Sequence, residues 1–186
     1  MTMRGGTAKE AKQEAARPPC KTEETKMEFR QLYRQNKALT QPECIRLLCA
    51  EKRGVLSVQG EGGYPYGMPM NHYYEPEDGC LYFHCGRQPS HRADALRQNA
   101  KASFCVCQAG TPPAKGWALT VCSVVVFGQV EFVEDPAAVA EISARLSRKF
   151  TQDEAYIAAE IRNYAHETVL LRLVPEQITG KRVVEA

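Results

Sequence analysis

The sequence predicts an α+β fold in which an antiparallel sheet or barrel carries helices at its ends. Extended apolar segments, separated only by short turns, run through residues 54–85, as hairpin-connected strands do. A longer segment, residues 119–133, is apolar on both faces, so we expect one face to fill the core and the other to meet a partner chain. Helix signals come before, between and after these strands.

The bulk composition is that of one globular domain. The chain has 186 residues, of which 44% are hydrophobic and 25% are charged, and its net charge is +2. Nucleic-acid binding needs a basic face and is therefore not expected. No segment approaches the roughly 18 apolar residues of a membrane span, and the N-terminus lacks the apolar stretch of a signal peptide. We expect no membrane association and a cytoplasmic location.

The eight cysteines are expected to be free thiols, because nothing in the sequence indicates export to an oxidising compartment. Cys105 and Cys107 form a C-x-C pair that strand alternation places on one face. No C-x-x-C pair occurs, so we expect no metal site. The sequence motifs of serine hydrolases, zinc proteases and P-loop proteins are also absent.

Residues 1–26 are polar and are interpreted as an arm or extension, which leaves residues 27–186 as the domain. The first helix is expected to start at Thr40, because Thr40-Gln41-Pro42-Glu43 has the form of a capping box. It is expected to end near Gly54, since glycine commonly follows a helix C-terminus.

Three strands follow this helix, over residues 54–58, 64–74 and 80–85. The second contains Pro65 and Pro69, which lack the N–H group that a sheet ladder needs. It must therefore be an edge strand, a bulge or a stretch that faces a ligand.

The third strand alternates so that His84 lies on the opposite face from Phe83 and Cys85. Ser90 then caps a short helix that reaches Gln98. The remaining elements are strands over residues 101–107 and 119–133, two helices with apolar spacing through residues 139–150 and 157–164, and a last strand over residues 168–174.

The start of the short helix is a candidate phosphate site. Ser90, His91 and Arg92 place a hydroxyl, an imidazole and a guanidinium beside the free N–H groups of a helix N-terminus. The guanidinium fork suits phosphate oxygens, because it donates two parallel hydrogen bonds. The alternative is a capped helix with solvated charges.

Two further stretches are candidates for ligand contact. The irregular segment 64–71 could turn backbone groups near Met68 and Met70 towards a flat heteroaromatic ring, or could be a plain edge strand. Ser123 is a polar residue on an otherwise apolar strand, and a buried hydroxyl needs a backbone or ligand partner.

These segments form an ordered set, and together they resemble one family. The resemblance is to the pyridoxamine 5'-phosphate oxidase-like FMN-binding split barrels, and within them to the nitroimidazole-resistance (Nim-type) branch. It spans residues 27–181. Its motifs are Gly54-Val55-Leu56-Ser57-Val58, Gly63-Tyr64-Pro65-Tyr66-Gly67-Met68-Pro69-Met70-Asn71, Leu81-Tyr82-Phe83-His84-Cys85 and Ser123-Val124-Val125-Val126-Phe127-Gly128.

The resemblance implies a six-stranded antiparallel split β-barrel with flanking helices, assembled as a homodimer with two FMN sites at the subunit interface. Met68, Pro69, Met70 and Asn71 would run beside the flavin ring. Ser90, His91 and Arg92 would lie near the phosphate. His84, followed by Cys85, would lie at a strand end close to the flavin and the substrate. Ser123 would be reached from the partner subunit.

The function implied by the resemblance is an FMN-dependent oxidoreductase that reduces a small-molecule substrate such as a nitroaromatic, with His84 as the candidate catalytic residue. Nim-type sequences often carry Tyr-Arg where this chain has Val121-Cys122, which leaves the charge of the substrate open. The alternative is a non-enzymatic flavin- or haem-binding module on the same barrel.

Overall fold

The computed structural model describes residues 28–185, so the expected arm of residues 1–26 lies outside the described residues. The compact unit Gln31–Ala186 contains every helix and strand named here. The helices are α1 (Gln41–Ala50), α2 (His91–Gln98), α3 (Pro136–Ser147) and α4 (Glu154–Tyr164). The strands are β1 (Arg53–Gln59), β2 (Pro65–Asn71), β3 (Tyr73–Glu75), β4 (Cys80–Gly86), β5 (Lys101–Cys107), β6 (Thr120–Val133) and β7 (Thr168–Val184).

All seven strands belong to one antiparallel sheet in the order β2-β1-β5-β6-β7-β4-β3. Strands β2 and β3 are at opposite edges, yet only His72 separates them along the chain. Because consecutive Cα atoms are about 3.8 Å apart, the two edges must meet at this residue. The sheet therefore curls on itself, which confirms the expected antiparallel split barrel with flanking helices.

The barrel has seven strands, so the expectation of six is wrong. The difference lies in the segment 64–74, which divides at His72. The ring of His72 is fully buried, and its Nε2 lies 2.8 Å from the carbonyl oxygen of Leu48. The backbone N–H of His72 donates to the carbonyl of Lys52. These bonds to α1 and the turn after it interrupt the ladder, and the chain crosses from β1 to β4.

The last strand is longer than expected, because β7 continues ten residues beyond Val174, to Val184. Pro175 cannot donate a hydrogen bond to the ladder within this strand. A register shift between Phe127 and Gly128 accommodates it, and Gly128 pairs with Pro175 at that point. A Cβ on Gly128 would lie 2.1 Å from the carbonyl oxygen of Val174, so glycine is required there.

The first helix begins as expected and ends earlier. The N–H and hydroxyl of Thr40 both donate to the Glu43 carboxylate at 2.8 Å. These bonds lower the pKa of Glu43 to about 2. The helix ends at Ala50 rather than near Gly54. Gly54 lies within β1, where a Cβ would be 2.4 Å from the ring of Phe104.

The core fills the inside of the barrel. Phe83 of β4 and Phe104 of β5 are fully buried, and their ring centroids are 4.9 Å apart. These two strands are not neighbours in the sheet, so the contact crosses the barrel. Helix α1 packs on the same core through Leu48, and α2 does so through Leu96. Burying each such side chain contributes about 1.5–3 kcal/mol.

Strand β6 buries one of its two apolar faces within the chain. Val124 and Val126 are fully buried, whereas Phe127 on the other face is 40% exposed. Burial of that outer face against a partner stays a prediction. None of the described helices is long and apolar enough to cross a membrane.

A second apolar cluster fixes helix α3 against the outside of β4. Val139 and Ile142 of α3 pack with Tyr82 of β4 and Leu170 of β7. These four side chains pack one face of α3 on the sheet.

An ion pair at the same contact adds an anchor. The guanidinium of Arg145 on α3 pairs with the carboxylate of Glu75 on β3. Glu75 is buried, so the pair is partly shielded from water. Moving α3 away would leave the Glu75 carboxylate without a compensating charge, which is unfavourable. The ion pair therefore helps to hold α3 in place.

The burial of His72 predicts a pH dependence of stability. Desolvation lowers the pKa of His72 to about 4. In the unfolded chain the ordinary value is about 6.5. As the pH falls from 7 to 4, the unfolded state takes up a proton that the folded state rejects, so stability falls by up to about 3 kcal/mol. Urea unfolding of the wild type and of His72→Phe, followed between these pH values, measures the effect.

The His72→Phe variant should lack this part of the pH dependence. His166→Gln is the matched control, because the side chain of His166 is 70% exposed. The same pH dependence in His72→Phe and in the wild type would contradict the assignment.

Candidate functional site

A pocket of about 350 Å³ lies where β2 and β4 meet helices α3 and α4. This volume is within the range of small-molecule sites, about 300–1,000 Å³. Two residues expected from the sequence to contact the cofactor, Asn71 and His84, line it together with Ser143, Tyr156 and Tyr164. The barrel closure at His72 causes this juxtaposition, because it brings the end of β2 next to β4.

The strand register of β4 directs His84 towards this pocket. Phe83 and Cys85 point into the barrel, as expected from alternation. The Nε2 atom of His84 lies 3.0 Å from the hydroxyl oxygen of Ser143 on α3. His84 is open to solvent on one side, yet the pocket walls desolvate the ring enough to lower the pKa of His84. At neutral pH the ring is therefore neutral, with one nitrogen donating and the other accepting.

The position of Ser143 follows from the anchoring of α3. Ser143 lies one residue after Ile142, which packs on the sheet, and two before Arg145, which pairs with Glu75. Only 7% of Ser143 is exposed. Its hydroxyl is thus held against His84 by packing on one side and by an ion pair on the other.

Asn71 is fixed at the end of β2. Its side-chain oxygen accepts a hydrogen bond of 2.8 Å from Nε of Arg53 on β1. An amide whose oxygen is engaged in this way keeps its NH₂ group free to donate. Asn71 therefore offers a donor to the pocket.

Strand β2 presents backbone groups along its open edge, the edge away from β1. Met68 and Met70 are buried in the barrel. The bonds from Gly60 N–H to the Tyr64 carbonyl and from His72 N–H to the Lys52 carbonyl set the alternation, so the even-numbered residues of β2 bond to β1 and the odd-numbered ones face away. The carbonyl of Pro69 therefore faces the open edge. Strand β2 is thus an edge strand, one of the three expected possibilities, and its contact with a ligand stays a prediction.

The start of α2 packs on the ends of β2 and β4. The hydroxyl of Ser90 accepts the N–H of Ala93 at 3.3 Å, which confirms the expected cap. The ring of His91 stacks on Tyr66 with centroids 4.3 Å apart. The helix therefore starts where the sequence predicted, and two of its first residues already have partners.

Arg92 extends over the barrel end. Its guanidinium donates to the sulfurs of Met70, at 3.8 Å, and Cys85, at 3.3 Å. Its Nε is buried without a hydrogen-bond partner, and within residues 28–185 no carboxylate pairs with it. The structure therefore brings Met70 and Cys85, two of the expected residues, to the guanidinium of a third, which has only weak sulfur acceptors within the described residues.

Ser123 is placed away from these groups within one chain. It lies on β6, opposite Cys107 of β5 and Lys181 of β7. Strand β7 separates β6 from β4 and His84 in the sheet. Ser123 therefore lies apart from these groups within one chain, and its expected contact with a partner subunit stays a prediction.

Sequence reasoning missed the helical wall of the pocket. Ser143 is 59 residues from His84 along the chain, and no local pattern links the two. A weaker signal was present in α4, where Tyr156, Glu160 and Tyr164 recur every four residues and so share one face. That polar and aromatic stripe is the wall of the pocket.

Comparison with known proteins places the chain in a family. Residues 40–182 match the family model of pyridoxamine 5'-phosphate oxidase. The chain belongs to this family, which confirms the resemblance in the sequence. No curated protein sequence matches it significantly.

Solved structures share the fold at low sequence identity. A candidate 5-nitroimidazole antibiotic resistance protein from Bacteroides thetaiotaomicron aligns with a TM-score of 0.66 at 21% identity, over 78% of this chain and 86% of the other. An FAD and heme binding protein from Mycobacterium smegmatis aligns at 0.62 and 19%, over 81% and 74%. An FAD-binding protein from Mesorhizobium loti aligns at 0.55 and 23%, over 79% and 97%.

The contact between Ser143 and His84 predicts a response to charge. Ser143→Asp would place a carboxylate against Nε2 and stabilise the imidazolium, so the pKa of His84 should rise by about one unit or more. A proton–nitrogen NMR titration of the ring in the flavin-free protein measures this value. The neutral isostere Ser143→Asn is the matched control. Equal pKa values in the two variants would show that the ring does not face α3.

Proposed function

We propose that this protein binds FMN and reduces a small oxidised substrate such as a nitroaromatic. The observation that carries the proposal is the guanidinium of Arg92. It lies at the start of α2 with a buried, unpartnered Nε, and sulfur atoms are its only acceptors within the described part of the chain. A partly buried guanidinium with a buried, unpartnered Nε is costly unless an anion binds to it.

The start of α2 fits the phosphate end of a flavin mononucleotide. Free N–H groups and the helix dipole favour an anion there. The guanidinium of Arg92 would add charge-assisted hydrogen bonds, and Ser90 and His91 would lie beside it. Ser90 keeps its hydroxyl proton available for donation, because its oxygen serves as the acceptor in the cap.

The edge of β2 fits the ring of the cofactor. It offers backbone groups of Pro69 and Asn71, with Met68 and Met70 packed behind them in the core. A flat heteroaromatic ring with hydrogen-bonding edges suits such a rigid backbone ladder. His84 and Cys85 follow on β4.

A second copy of the chain would complete the site. Val55, Cys105 and Val125 lie directly opposite one another on β1, β5 and β6, on the outer face of the sheet. Val55 is 39% exposed and Cys105 is exposed. Burying this apolar row in a homodimer would favour association, and Ser123 on the same face would reach the partner's cofactor.

His84 would act on the substrate. When bound, the flavin supplies the electrons, and the protein supplies position and electrostatics. The neutral ring of His84, held by Ser143 at 3.0 Å, would orient the substrate by a hydrogen bond or move a proton to it. A neutral imidazole also suits haem iron, so a haem-binding module is the second candidate.

Arg92→Ala should weaken FMN binding. Loss of charge-assisted hydrogen bonds costs about 1.5–3 kcal/mol. The dissociation constant for FMN should therefore rise roughly 10- to 100-fold. Fluorescence titration of the flavin-free protein with FMN measures it. Arg97→Ala is the matched control on the same helix, because Arg97 already pairs with Asp94 at 3.1 Å. Unaltered affinity in Arg92→Ala would remove the residue from the phosphate site.

His84→Ala should slow substrate reduction by the FMN-loaded protein. Acid–base or orienting groups contribute roughly 100-fold or more. The assay reduces the FMN-loaded protein with dithionite without oxygen and follows flavin reoxidation by a 5-nitroimidazole, so the physiological electron donor is not needed. His166→Ala is the control. The same reoxidation rate in His84→Ala would show that His84 has no catalytic role.

A further inference from the structure

We propose that the pocket between β4, α3 and α4 prefers cationic nitrogen heteroaromatics over anions, with Glu160 as the specificity-determining residue. The inference rests on the proposed function in taking this pocket as the place of the substrate, and it names the class of substrate.

The charge of the pocket favours a cationic ligand over an anion. Glu160 is the charged side chain in a lining that is otherwise neutral within residues 28–185. His84 adds no positive charge at neutral pH, because desolvation lowers its pKa. An anion entering this space would lose hydration without gaining a cationic partner, which is unfavourable.

Glu160 also lacks a partner, unlike the other acidic residues of the two helices. Asp135 and Asp153 accept N–H groups at the N-termini of α3 and α4. Glu141 pairs with Arg145, and Glu154 pairs with Arg148. Glu160 is half-buried and makes no hydrogen bond or ion pair within the described residues. Its carboxylate is therefore free to meet a ligand cation.

The two nearby lysines, Lys149 and Lys52, already have partners. Lys149 donates to the backbone carbonyl of Glu51 at 2.6 Å, beyond the end of α1. The amine of Lys52 lies 5.4 Å from the ring centroid of Phe150, a residue of the pocket wall. The aromatic wall open to a ligand is therefore that of Tyr156 and Tyr164.

The aromatic rings supply the second argument. Tyr156 and Tyr164 stand one turn before and one turn after Glu160 on α4. They are 55% and 54% exposed. A carboxylate between two aromatic rings attracts flat cations by charge and by cation–π contact.

The opposite wall supplies neutral hydrogen-bonding groups. Asn71, His84 and Ser143 line the same pocket of about 350 Å³. A ligand that spans it would therefore carry a protonated nitrogen near Glu160 and a neutral donor or acceptor near His84. Cys122, at a position where Nim-type sequences often carry arginine, lies on β6 and contributes no cation here.

Titration with two probes of one shape tests the inference. 4-Aminoquinoline is protonated at pH 7.5, and quinoline-4-carboxylate has the same ring with the opposite charge. Binding is followed by calorimetry with the full chain, both flavin-free and FMN-loaded. We expect the cation to bind at least about tenfold more tightly, and Glu160→Gln to abolish that preference. Glu160→Lys should reverse it.

Glu167→Gln is the matched control, because the side chain of Glu167 is 71% exposed and lies outside the pocket lining. Equal affinity for the two probes, failure to bind either probe, or an unchanged preference in Glu160→Gln would each overturn the inference. FMN titration of the same samples separates this outcome from the proposed function. Loss of FMN binding with the cation preference intact would refute only the flavin proposal.

Discussion

The barrel closes through one buried side chain, His72, and the candidate site depends on this closure. The residue joins two edge strands, and its ring is tied to α1 by a 2.8 Å contact with the Leu48 carbonyl. Its ring also packs against Phe104 in the core, with centroids 4.8 Å apart. The second ring nitrogen is buried without a partner, a cost that the closure must offset. Because of this joint, Asn71 and His84 line one pocket although they belong to different strands.

Helices α3 and α2 place the remaining side chains of the candidate site beside β4. Glu75, three residues after His72, pairs with Arg145 and so ties α3 to the strand that leaves the joint. Ser143 then reaches His84. On the other side of β4, α2 extends Arg92 to the sulfurs of Met70 and Cys85. Strand β4 therefore directs His84 to the pocket on one face and Cys85 to the guanidinium on the other.

Local sequence signals, such as a capping serine, were sufficient to predict the bounds of some helices and strands. The cap at Ser90 gave the bounds of α2, and β5 lies over the expected residues 101–107. Non-local geometry was not accessible. The last strand was expected to end at Val174, because the bulge at Gly128 that accommodates Pro175 is on another strand. The division at His72 depends on a hydrogen bond to α1, 24 residues away.

The same limit applies to the site. His84 and Asn71 could be named from the sequence, because each stands at the end of a recognisable strand motif. Ser143 and Glu160 could not, since only the docking of α3 and α4 brings them to that strand. Ser123 stays a prediction, because its role requires contacts that one chain does not make.

The most direct test of the account is an absorption spectrum of the full-length protein purified without added cofactor, followed by titration with FMN. The account predicts flavin bands, or saturable binding of one FMN per chain. A Soret band would instead favour the haem-binding alternative. Absence of flavin bands together with absence of FMN binding would contradict the oxidoreductase proposal and leave the family assignment and the fold standing.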